Sequence, residues 1–339
     1  MVLDRLNASK LKVAALDKQV LAMARQKANP YEAIGSSRFM NRAAVKMASI
    51  DAIYNLSSHT KTFVDVCSGP GGFSEYLFWK LAEKKAKGWG ITLKGQQDFA
   101  IDILQNAGSF TAHYGKDQTG DLYSIENVNS FCDLVLSESG HVDLVLGDGG
   151  FSVLGDELHQ EEHSKLILVV QILVMLKVLK RGGNFVIKVF DLLTDFTVEL
   201  TYLLYLHFEK ISIIKPYSSR PANSERYLVC LGFQDQEPAE LTAYLTKVVQ
   251  VLNQLKPNSD PAVSGHLQHQ PGFLAKSEMI DLGLLDLTHI FEGDMIKKDE
   301  TFMDAIEGSN MKYVHLFSLM ILTLYYLEWL QNKKKRWMN

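Results

Sequence analysis

Short apolar runs and longer stretches of helical periodicity alternate through the first 235 residues of the chain. The apolar runs lie at 62–67, 88–93, 109–114, 142–147, 183–189, 208–214 and 226–233. Helical periodicity is clearest at 72–86, 97–106, 162–180 and 195–206. Alternating strands and helices are typical of a doubly wound sheet, whose ligand crevice lies at the carboxyl ends of the strands. The pattern predicts an α/β fold with a seven-stranded, mostly parallel sheet whose last strand is antiparallel.

Helical segments flank this α/β region on both sides. Residues 8–28 form one amphipathic pattern, and a second helix, Arg38 to Tyr54, is predicted to be capped by Ser36 or Ser37. After residue 236 the alternation stops, and a helix is predicted at 239–255. The predicted organisation is an N-terminal helical arm at 1–35, an α/β domain at 36–235 and a C-terminal helical extension at 236–339.

The extension contains a strongly apolar segment at 313–330. It has 15 uncharged residues between Lys312 and Glu328, fewer than the roughly 18 to 20 that a membrane span requires. We therefore expect a buried helix or one that faces a protein partner, and we expect no membrane association.

Composition and charge narrow the class of protein. The hydrophobic share of 47% and the charged share of 22% are those of a soluble globular protein. A net charge of −4 argues against indiscriminate binding of nucleic acid, although a local basic groove would suffice for an RNA enzyme. Three cysteines without zinc-ligand spacing predict no metal site and a reducing compartment. The first residues lack the apolar run of a signal peptide, so an intracellular protein is expected.

A glycine-rich turn joins the first predicted strand to the helix after it. The stretch from Phe63 to Tyr76 contains Gly-Pro-Gly-Gly at 69–72, directly before the helical pattern. Glycine lets the backbone approach a ligand closely, and the N–H groups at a helix start favour an anionic group. Pro70 interrupts the glycines and the strand at 88–93 ends without a carboxylate, which disfavours a dinucleotide site and hydride transfer. A cofactor cradle is the preferred interpretation, with another nucleotide site or a purely structural turn as the alternatives.

Four ionisable residues are predicted at one edge of the sheet. Asp148 ends the fourth strand, Lys188 lies in an apolar strand, Glu225 opens the last strand, and Lys46 comes from the helix before the first strand. A lysine whose pKa is lowered by burial or a nearby cation can accept the proton of a hydroxyl, and carboxylates can orient such amines. Taken singly, each residue could instead lie in a turn, at a strand edge, in a surface ion pair or in solvent. Together they favour catalysis at a hydroxyl group.

These four residues resemble the Lys-Asp-Lys-Glu tetrad of the RNA 2′-O-methyltransferases of the heat-shock rRNA methyltransferase fold. More narrowly, six strings resemble the cap-specific mRNA (nucleoside-2′-O-)methyltransferase 1 family. They lie at 27–32, 39–48, 65–76, 92–95, 148–153 and 219–227. The similarity covers roughly residues 8–255 and implies a Rossmann-like, S-adenosylmethionine-dependent methyltransferase. Around Asp121 the family's run of Gly and Asp is replaced by Lys-Asp-Gln-Thr-Gly-Asp-Leu.

The resemblance also implies residue roles. Lys188 would be the proton acceptor, with Lys46 and Asp148 as partners and Glu225 in support. The residues implied to bind S-adenosylmethionine are Asn41, Cys67, Ser68, Gly69, Pro70, Gly71, Gly72, Phe73, Asp121 and Leu122. The residues implied to bind the cap and the RNA are Lys10, Lys12, Arg25, Gln160, Arg220 and Asn223.

The implied reaction is methylation of the ribose 2′-OH of the first transcribed nucleotide of capped mRNA, from cap 0 to cap 1. The partner would be capped RNA rather than DNA, and a protein partner would bind through 313–330. The alternatives are the same chemistry on rRNA or tRNA, and a catalytically silent RNA-binding subunit. The family implies a nuclear protein, whereas a viral member would be cytoplasmic.

Overall fold

One seven-stranded sheet organises the chain. The computed structural model describes residues 8, 10–13, 17–34, 38–150, 159–221, 223–235, 238–255 and 298–311. The strands are β1 (Thr62–Val66), β2 (Lys87–Ile91), β3 (Ser109–His113), β4 (Val142–Gly147), β5 (Leu179–Phe190), β6 (Phe208–Ile214) and β7 (Glu225–Phe233). Their order is β3-β2-β1-β4-β5-β7-β6, and only β7 runs antiparallel to its neighbours. This confirms the predicted mostly parallel sheet with an antiparallel last strand.

Helices cover both faces of the sheet, and further helices precede and follow it along the chain. They are α1 (Lys18–Ala28), α2 (Tyr31–Ile34), α3 (Arg42–Tyr54), α4 (Gly72–Lys80), α5 (Ile101–Ala107), α6 (Ile125–Ser139), α7 (Gln160–His163), α8 (Lys165–Val178), α9 (Asp195–His207), α10 (Ala239–Leu255) and α11 (300–311). Within the part of the chain that the structure describes, no helix is long and apolar enough to cross a membrane.

Side-chain caps explain two corrections to the predicted helices. The helix expected at 8–28 is interrupted: residues 10–13 are helical, but the Asp17 carboxylate accepts hydrogen bonds from the N–H groups of Gln19 and Val20 and starts α1 at Lys18. The next long helix starts at Arg42 rather than Arg38, because the side chain of Asn41 accepts from the N–H of Ala43. A polar side chain that bonds the N–H groups two or three residues ahead fixes a helix start.

Near the middle of the chain, two elements differ from those that the apolar pattern predicted. Helix α6, capped by Ser124, was not predicted. Strand β5 begins at Leu179, four residues before the predicted start, because Leu179 pairs with Val142 of β4. This pairing comes from a distant strand, so local periodicity could not reveal it.

The apolar helix α8 lies in the main core, where 12 of its residues are buried. It packs against the sheet, and α6 and α10 cover its other sides. This explains why its sequence is apolar all round and confirms that the segment is buried against the sheet. Part of the predicted extension also joins this core, because Phe302 and Ile306 of α11 are buried and Phe302 contacts Tyr202 of α9. The apolar segment 313–330 lies outside the described residues.

The strand order reverses between β1 and β4, since β2 and β3 continue to one side and the other strands to the other. In doubly wound sheets the ligand crevice opens at the carboxyl ends of the strands at this point. The turn at 69–72 follows β1, and Asp148 follows β4. The fold thus places both predicted sites at one edge of the sheet.

Candidate active site

Two ion pairs bring the four predicted catalytic residues together. Lys188 Nζ lies 3.1 Å from Asp148 Oδ1 and donates to the Asp148 carbonyl at 2.7 Å. Lys46 Nζ donates to Glu225 Oε2 at 2.6 Å. In the β5–β7 ladder Lys188 pairs with Tyr227 and Phe190 with Glu225. The two ion pairs therefore lie side by side, with Lys46 reaching in from α3.

A second set of contacts fixes the two carboxylates, and the sequence analysis did not identify its members. Tyr227 OH donates to Asp148 Oδ1 at 2.8 Å. Ser219 Oγ donates to Glu225 Oε1 at 2.7 Å. Strand periodicity offered a signal for Tyr227, which follows Glu225 by two positions and so lies on the same face of β7. Ser219 could not be found this way, because it lies in a loop.

Lys215, at the end of β6, ties down the segment that carries Glu225. Its Nζ donates to the Glu225 carbonyl at 2.8 Å, to the Asn223 carbonyl at 2.8 Å and to Asn223 Oδ1 at 2.7 Å. Burial lowers the pKa of Lys215 to about 7, and the nearby cations Arg226 and Lys46 act in the same direction. This amine therefore holds the loop through its three hydrogen bonds.

The electrostatics of the tetrad differ from the sequence-based expectation. Burial acts to lower the pKa of Lys188, but Asp148 and Glu225 outweigh it, and the pKa is raised. The expectation of a lowered pKa at the proton acceptor is thus wrong for this arrangement. Burial acts to raise the pKa of Glu225, whereas Lys46 and Lys188 lower it to about 2. Lys188 and Glu225 are therefore charged at neutral pH.

A glutamine inside the apolar helix α8 holds the end of β4. Gln171 is fully buried, its Oε1 accepts from the N–H of Gly149 at 3.0 Å, and its Nε2 donates to the carbonyl of Ile167. A Cβ at Gly150 would lie 2.8 Å from Lys188 Nζ, so the chain beyond Asp148 passes directly against the Lys188 amine. A single polar residue in an otherwise apolar helix was the signal for this contact.

Replacing Gln171 with leucine is expected to destabilise the protein by about 1–3 kcal/mol, because the buried N–H of Gly149 loses its acceptor. Turnover should fall as well, since Asp148 precedes Gly149 and shares its backbone. Urea unfolding and rates of the methyl transfer expected from the sequence would measure the two effects. Thr201→Val on α9, which removes a bond only to the Thr197 carbonyl, is the control. Reduced stability with unchanged turnover would limit Gln171 to a structural role.

The glycine-rich turn after β1 is shaped by close packing. A Cβ at Gly69 would lie 1.7 Å from the Gln97 carbonyl oxygen, and one at Gly72 would lie 2.2 Å from Asn41 Oδ1. Gly71 has a φ of 109°, in the left-handed region. Pro70 accepts at its carbonyl from the N–H of Ala100. Only glycines fit these positions, so the turn delivers the chain directly into the start of α4.

A buried carboxyl supports this turn from beneath. Asp65 of β1 is fully buried, and its Oδ2 accepts from Ser74 Oγ in the first turn of α4 at 2.6 Å. Burial raises the pKa of Asp65 to about 7. The other predicted residues of the turn lie along its surface and beneath it: Cys67, Gly69 and Pro70 are half-buried, and Ser68 and Phe73 are buried.

Asp121 and Leu122 follow β3 at the same edge. Asp121 Oδ1 accepts from the N–H of Tyr123 at 2.9 Å, and its carbonyl accepts from Asn127 Nδ2. The side chain of Leu122 lies in the main core, so only its backbone is available to a ligand. The edge thus offers N–H donors at the start of α4 and a half-buried carboxylate at Asp121. This donor set fits a ligand with a carboxylate at one end and hydroxyl or amine groups at the other.

Three arginines converge on Glu32 beside the tetrad. Arg220 Nε and NH2 lie 3.0 and 2.6 Å from Glu32 Oε1, and Arg42 NH1 bonds Glu32 Oε2. Burial lowers the pKa of Arg25, and the charges of Arg220, Glu32 and Arg42 also act on it, so Arg25 lies near the same site. We call Arg25, Arg42 and Arg220 with Glu32 the Glu32 arginine cluster. It has two positive charges more than its carboxylate neutralises.

The other predicted RNA-binding residues occupy different environments. Lys12 is exposed, whereas Lys10 is buried and its Nζ lies 2.5 Å from Asp191 Oδ2. Gln160 Oε1 accepts from Ser224 Oγ at 2.8 Å, and Asn223 contacts Lys215. Around the tetrad thus lie Arg25, Arg220, Gln160 and Asn223. Lys10 instead forms an ion pair with Asp191.

Asp191 and Leu192, which follow β5 directly, form a left-handed turn with φ values of 56° and 71°. Non-glycine residues adopt such values at an energetic cost, so the surrounding contacts must maintain them. Lys10 of the arm binds Asp191, and Asn310 Nδ2 at the end of α11 donates to the Leu192 carbonyl at 2.8 Å. Arg226 NH1, one residue beyond Glu225, donates to Asn310 Oδ1 at 2.7 Å. Both ends of the described chain therefore meet at this turn.

Comparisons with known proteins identify the family of the chain. The model of the FtsJ-like methyltransferase family matches residues 39–233. Cap-specific mRNA (nucleoside-2′-O-)-methyltransferase 1 from Bos taurus is 44% identical over 273 residues, which cover 74% of this chain and 32% of that protein. The Homo sapiens protein of the same name is 42% identical over 326 residues, covering 89% of this chain and 37% of that protein.

The chain thus spans about a third of the length of the curated relatives it matches. These relatives carry the name of the family that the sequence motifs resemble, so that resemblance is confirmed. The family match spans more than half of the residues and includes the whole sheet and the tetrad. This chain belongs to the FtsJ-like methyltransferase family.

Proposed function

We propose that this chain methylates the ribose 2′-OH of the first transcribed nucleotide of capped mRNA, converting cap 0 to cap 1. The observation that carries the proposal is the pair of contacts Lys188–Asp148 and Lys46–Glu225 at the carboxyl edge of the sheet. They stand beside the glycine-rich turn, so an acceptor hydroxyl and a methyl donor can meet there. The names of the relatives support the cap as the substrate.

S-adenosylmethionine is the methyl donor of FtsJ-like methyltransferases, and the donor set at this edge suits it. The start of α4 would hold the carboxylate of the cofactor, and Asp121 would accept from its hydroxyl or amine groups. Asn41, which packs against Gly72, and the turn from Cys67 to Phe73 would complete the cradle. When bound, the cofactor supplies an electrophilic methyl group.

The protein provides the proton acceptor and its orientation. Asp148 fixes Lys188 Nζ through its carboxylate and its carbonyl, and Tyr227 holds that carboxylate. Neutral Lys188 accepts the proton of the 2′-OH, which leaves the oxygen as the nucleophile. The ammonium that forms is stabilised by Asp148 and Glu225, the same charges that raise its pKa. The neutral fraction is small at pH 7, so the rate should increase as the pH rises.

Cations at the rim of the site suit the phosphates of the cap and the RNA chain. Arg25 and Arg220 belong to the Glu32 arginine cluster, and charge-assisted bonds from guanidinium to phosphate are strong. Asn223 lies in the segment that precedes Glu225, and Gln160 of α7 contacts Ser224 of that segment. We assign these four residues, with Lys12 and Lys10, to the binding of the capped RNA. Lys10 would then leave its ion pair with Asp191 and bind the RNA.

The test is methyl transfer from labelled S-adenosylmethionine to three RNAs of one sequence that carry a methylated cap, an unmethylated cap or a 5′-triphosphate. We expect transfer only to the capped RNAs, mapped to the first 2′-OH. Equal transfer to all three would contradict cap recognition and favour rRNA or tRNA as the substrate. Absence of transfer with the cofactor still bound would favour a silent RNA-binding subunit.

A further inference from the structure

An exposed tyrosine lies on a tight turn beside the tetrad. The N–H of Ser219 donates to the Pro216 carbonyl at 2.9 Å, which closes a turn with Tyr217 and Ser218 at its centre. Tyr217 is 83% exposed, the largest value among the exposed large apolar side chains that the structure describes. Single exposed apolar residues are common on protein surfaces, so exposure alone assigns no role. The evidence for a role of Tyr217 is the position and rigidity of the turn.

The turn is fixed from two sides. Asn29 is buried, and its Nδ2 donates to the carbonyls of Ser218 and Ser219 at 3.2 and 3.3 Å, which ties the turn to the N-terminal arm. Ser219 Oγ donates to Glu225 Oε1, which ties the turn to the tetrad. Tyr217 therefore projects from a backbone that is held relative to the catalytic residues. Stacking on a ring that a fixed backbone carries loses less conformational entropy than stacking on a ring in a mobile loop.

The charge next to this turn suits a nucleic acid. Arg220 follows the turn by one residue and belongs to the Glu32 arginine cluster, which has two uncompensated positive charges. Proteins bind single-stranded RNA by combining a positively charged path for the phosphates with aromatic rings on which bases stack. The segment from Tyr217 to Arg220 offers both within four residues.

We propose that Tyr217 is a stacking platform for a nucleobase of the substrate RNA downstream of the methylated nucleotide, with Arg220 and Arg42 beside the adjoining phosphate. The inference rests on the proposed function, because it extends the RNA path beyond the cap. Ser219 contacts the tetrad and Tyr217 precedes it by two residues, so the base would lie next to the target nucleotide or one further along. The ring accepts any base, because every base has a π-face.

The test compares Tyr217→Ala with Tyr217→Phe and the wild-type protein, using fluorescence anisotropy with labelled single-stranded RNA of about ten nucleotides. We expect Tyr217→Ala to weaken binding by about tenfold, the loss of one stacked base, and Tyr217→Phe to bind as the wild type does. Leu206→Ala is the matched control, since Leu206 is 49% exposed at the opposite edge of the sheet. Equal binding by Tyr217→Ala and the wild type would overturn the proposal, as would a loss in Tyr217→Phe as large as in Tyr217→Ala.

A second measurement separates this inference from the proposed function. In methyl transfer, Tyr217→Ala should raise KM for a capped RNA of ten nucleotides about tenfold, and it should leave KM for a capped RNA of one nucleotide unchanged. An equal rise for both lengths would place Tyr217 at the cap and overturn the proposal. If the wild type transfers no methyl group to capped RNA, the proposed function fails, and the anisotropy result still decides whether Tyr217 binds RNA.

Discussion

Lys188→Met is expected to lower the turnover of methyl transfer by about a hundred- to ten-thousandfold, the contribution of a positioned proton acceptor. Methionine has a similar length and fills the buried site, where Lys188 is 9% exposed, but it has no amine to take the proton of the 2′-OH. The proposed cofactor cradle lies at the ends of β1 and β3, whereas Lys188 lies on β5. Affinity for S-adenosylmethionine should therefore remain near that of the wild type, and calorimetry and single-turnover rates would measure the two quantities.

The control is Lys180→Met on the same strand. Lys180 lies at the opposite end of β5, half exposed, and pairs with Asp143. Surface ion pairs contribute little to stability, so this variant should retain both turnover and cofactor binding. If Lys188→Met loses turnover and cofactor binding together while remaining folded, Lys188 is part of the cofactor site and its assignment as the proton acceptor is wrong.

Glu225→Gln is expected to lower turnover by about a hundredfold or more in a protein that remains folded at neutral pH. Glutamine retains an oxygen for Ser219 Oγ, and the bonds from Lys215 to the backbone of residues 223 and 225 persist. The charge that holds Lys46 is lost, so the Lys46 ammonium no longer has its counter-ion and moves from its position in the tetrad. Capped RNA and saturating cofactor would be used to measure turnover.

The Glu225→Gln variant should also differ from the wild type in how its free energy of unfolding depends on pH. The folded-state pKa of Glu225 is about 2, below the ordinary value of 4.5. Its contribution to stability is therefore complete above pH 4.5 and is lost as the pH falls toward 2. It amounts to about 3 kcal/mol at most for this difference in pKa. The difference in free energy of unfolding between wild type and Glu225→Gln should shrink across this range. Glu126→Gln, at an exposed ion pair with Lys116, should show no such change, and a constant difference down to pH 2 would contradict the assignment.

Much of the fold could be predicted from the sequence because its signals are local. The period of the apolar residues located all seven strands within a few residues, and the alternation of strands and helices gave the parallel sheet. The tetrad could be anticipated because Asp148, Lys188 and Glu225 lie at or near strand ends, where side chains of different strands meet. Lys46 lies on the helix that precedes the first strand. Asp148 and Glu225 are examples, since each lies at a strand terminus that the pattern had placed.

The remainder depends on contacts between residues far apart in the chain. The ion pair of Lys10 with Asp191 joins residues 181 positions apart, and no spacing in the sequence indicates it. The pKa of Lys188 is another example, because its direction follows from the balance between burial and two carboxylates on other strands. The role of Lys215 is similar, since its three acceptors lie in a loop that folds back over the end of β6.

The left-handed turn at Asp191 and Leu192 connects segments that could otherwise unfold independently. The arm holds it through Lys10, α11 holds it through Asn310, and α7 holds the next residues because Glu161 accepts from the N–H groups of Leu193 and Thr194. Release of one support leaves a costly backbone conformation with fewer restraints, which weakens the others. The arm, the catalytic edge and α11 should therefore open as one cooperative unit, with similar protection of their amides against hydrogen exchange.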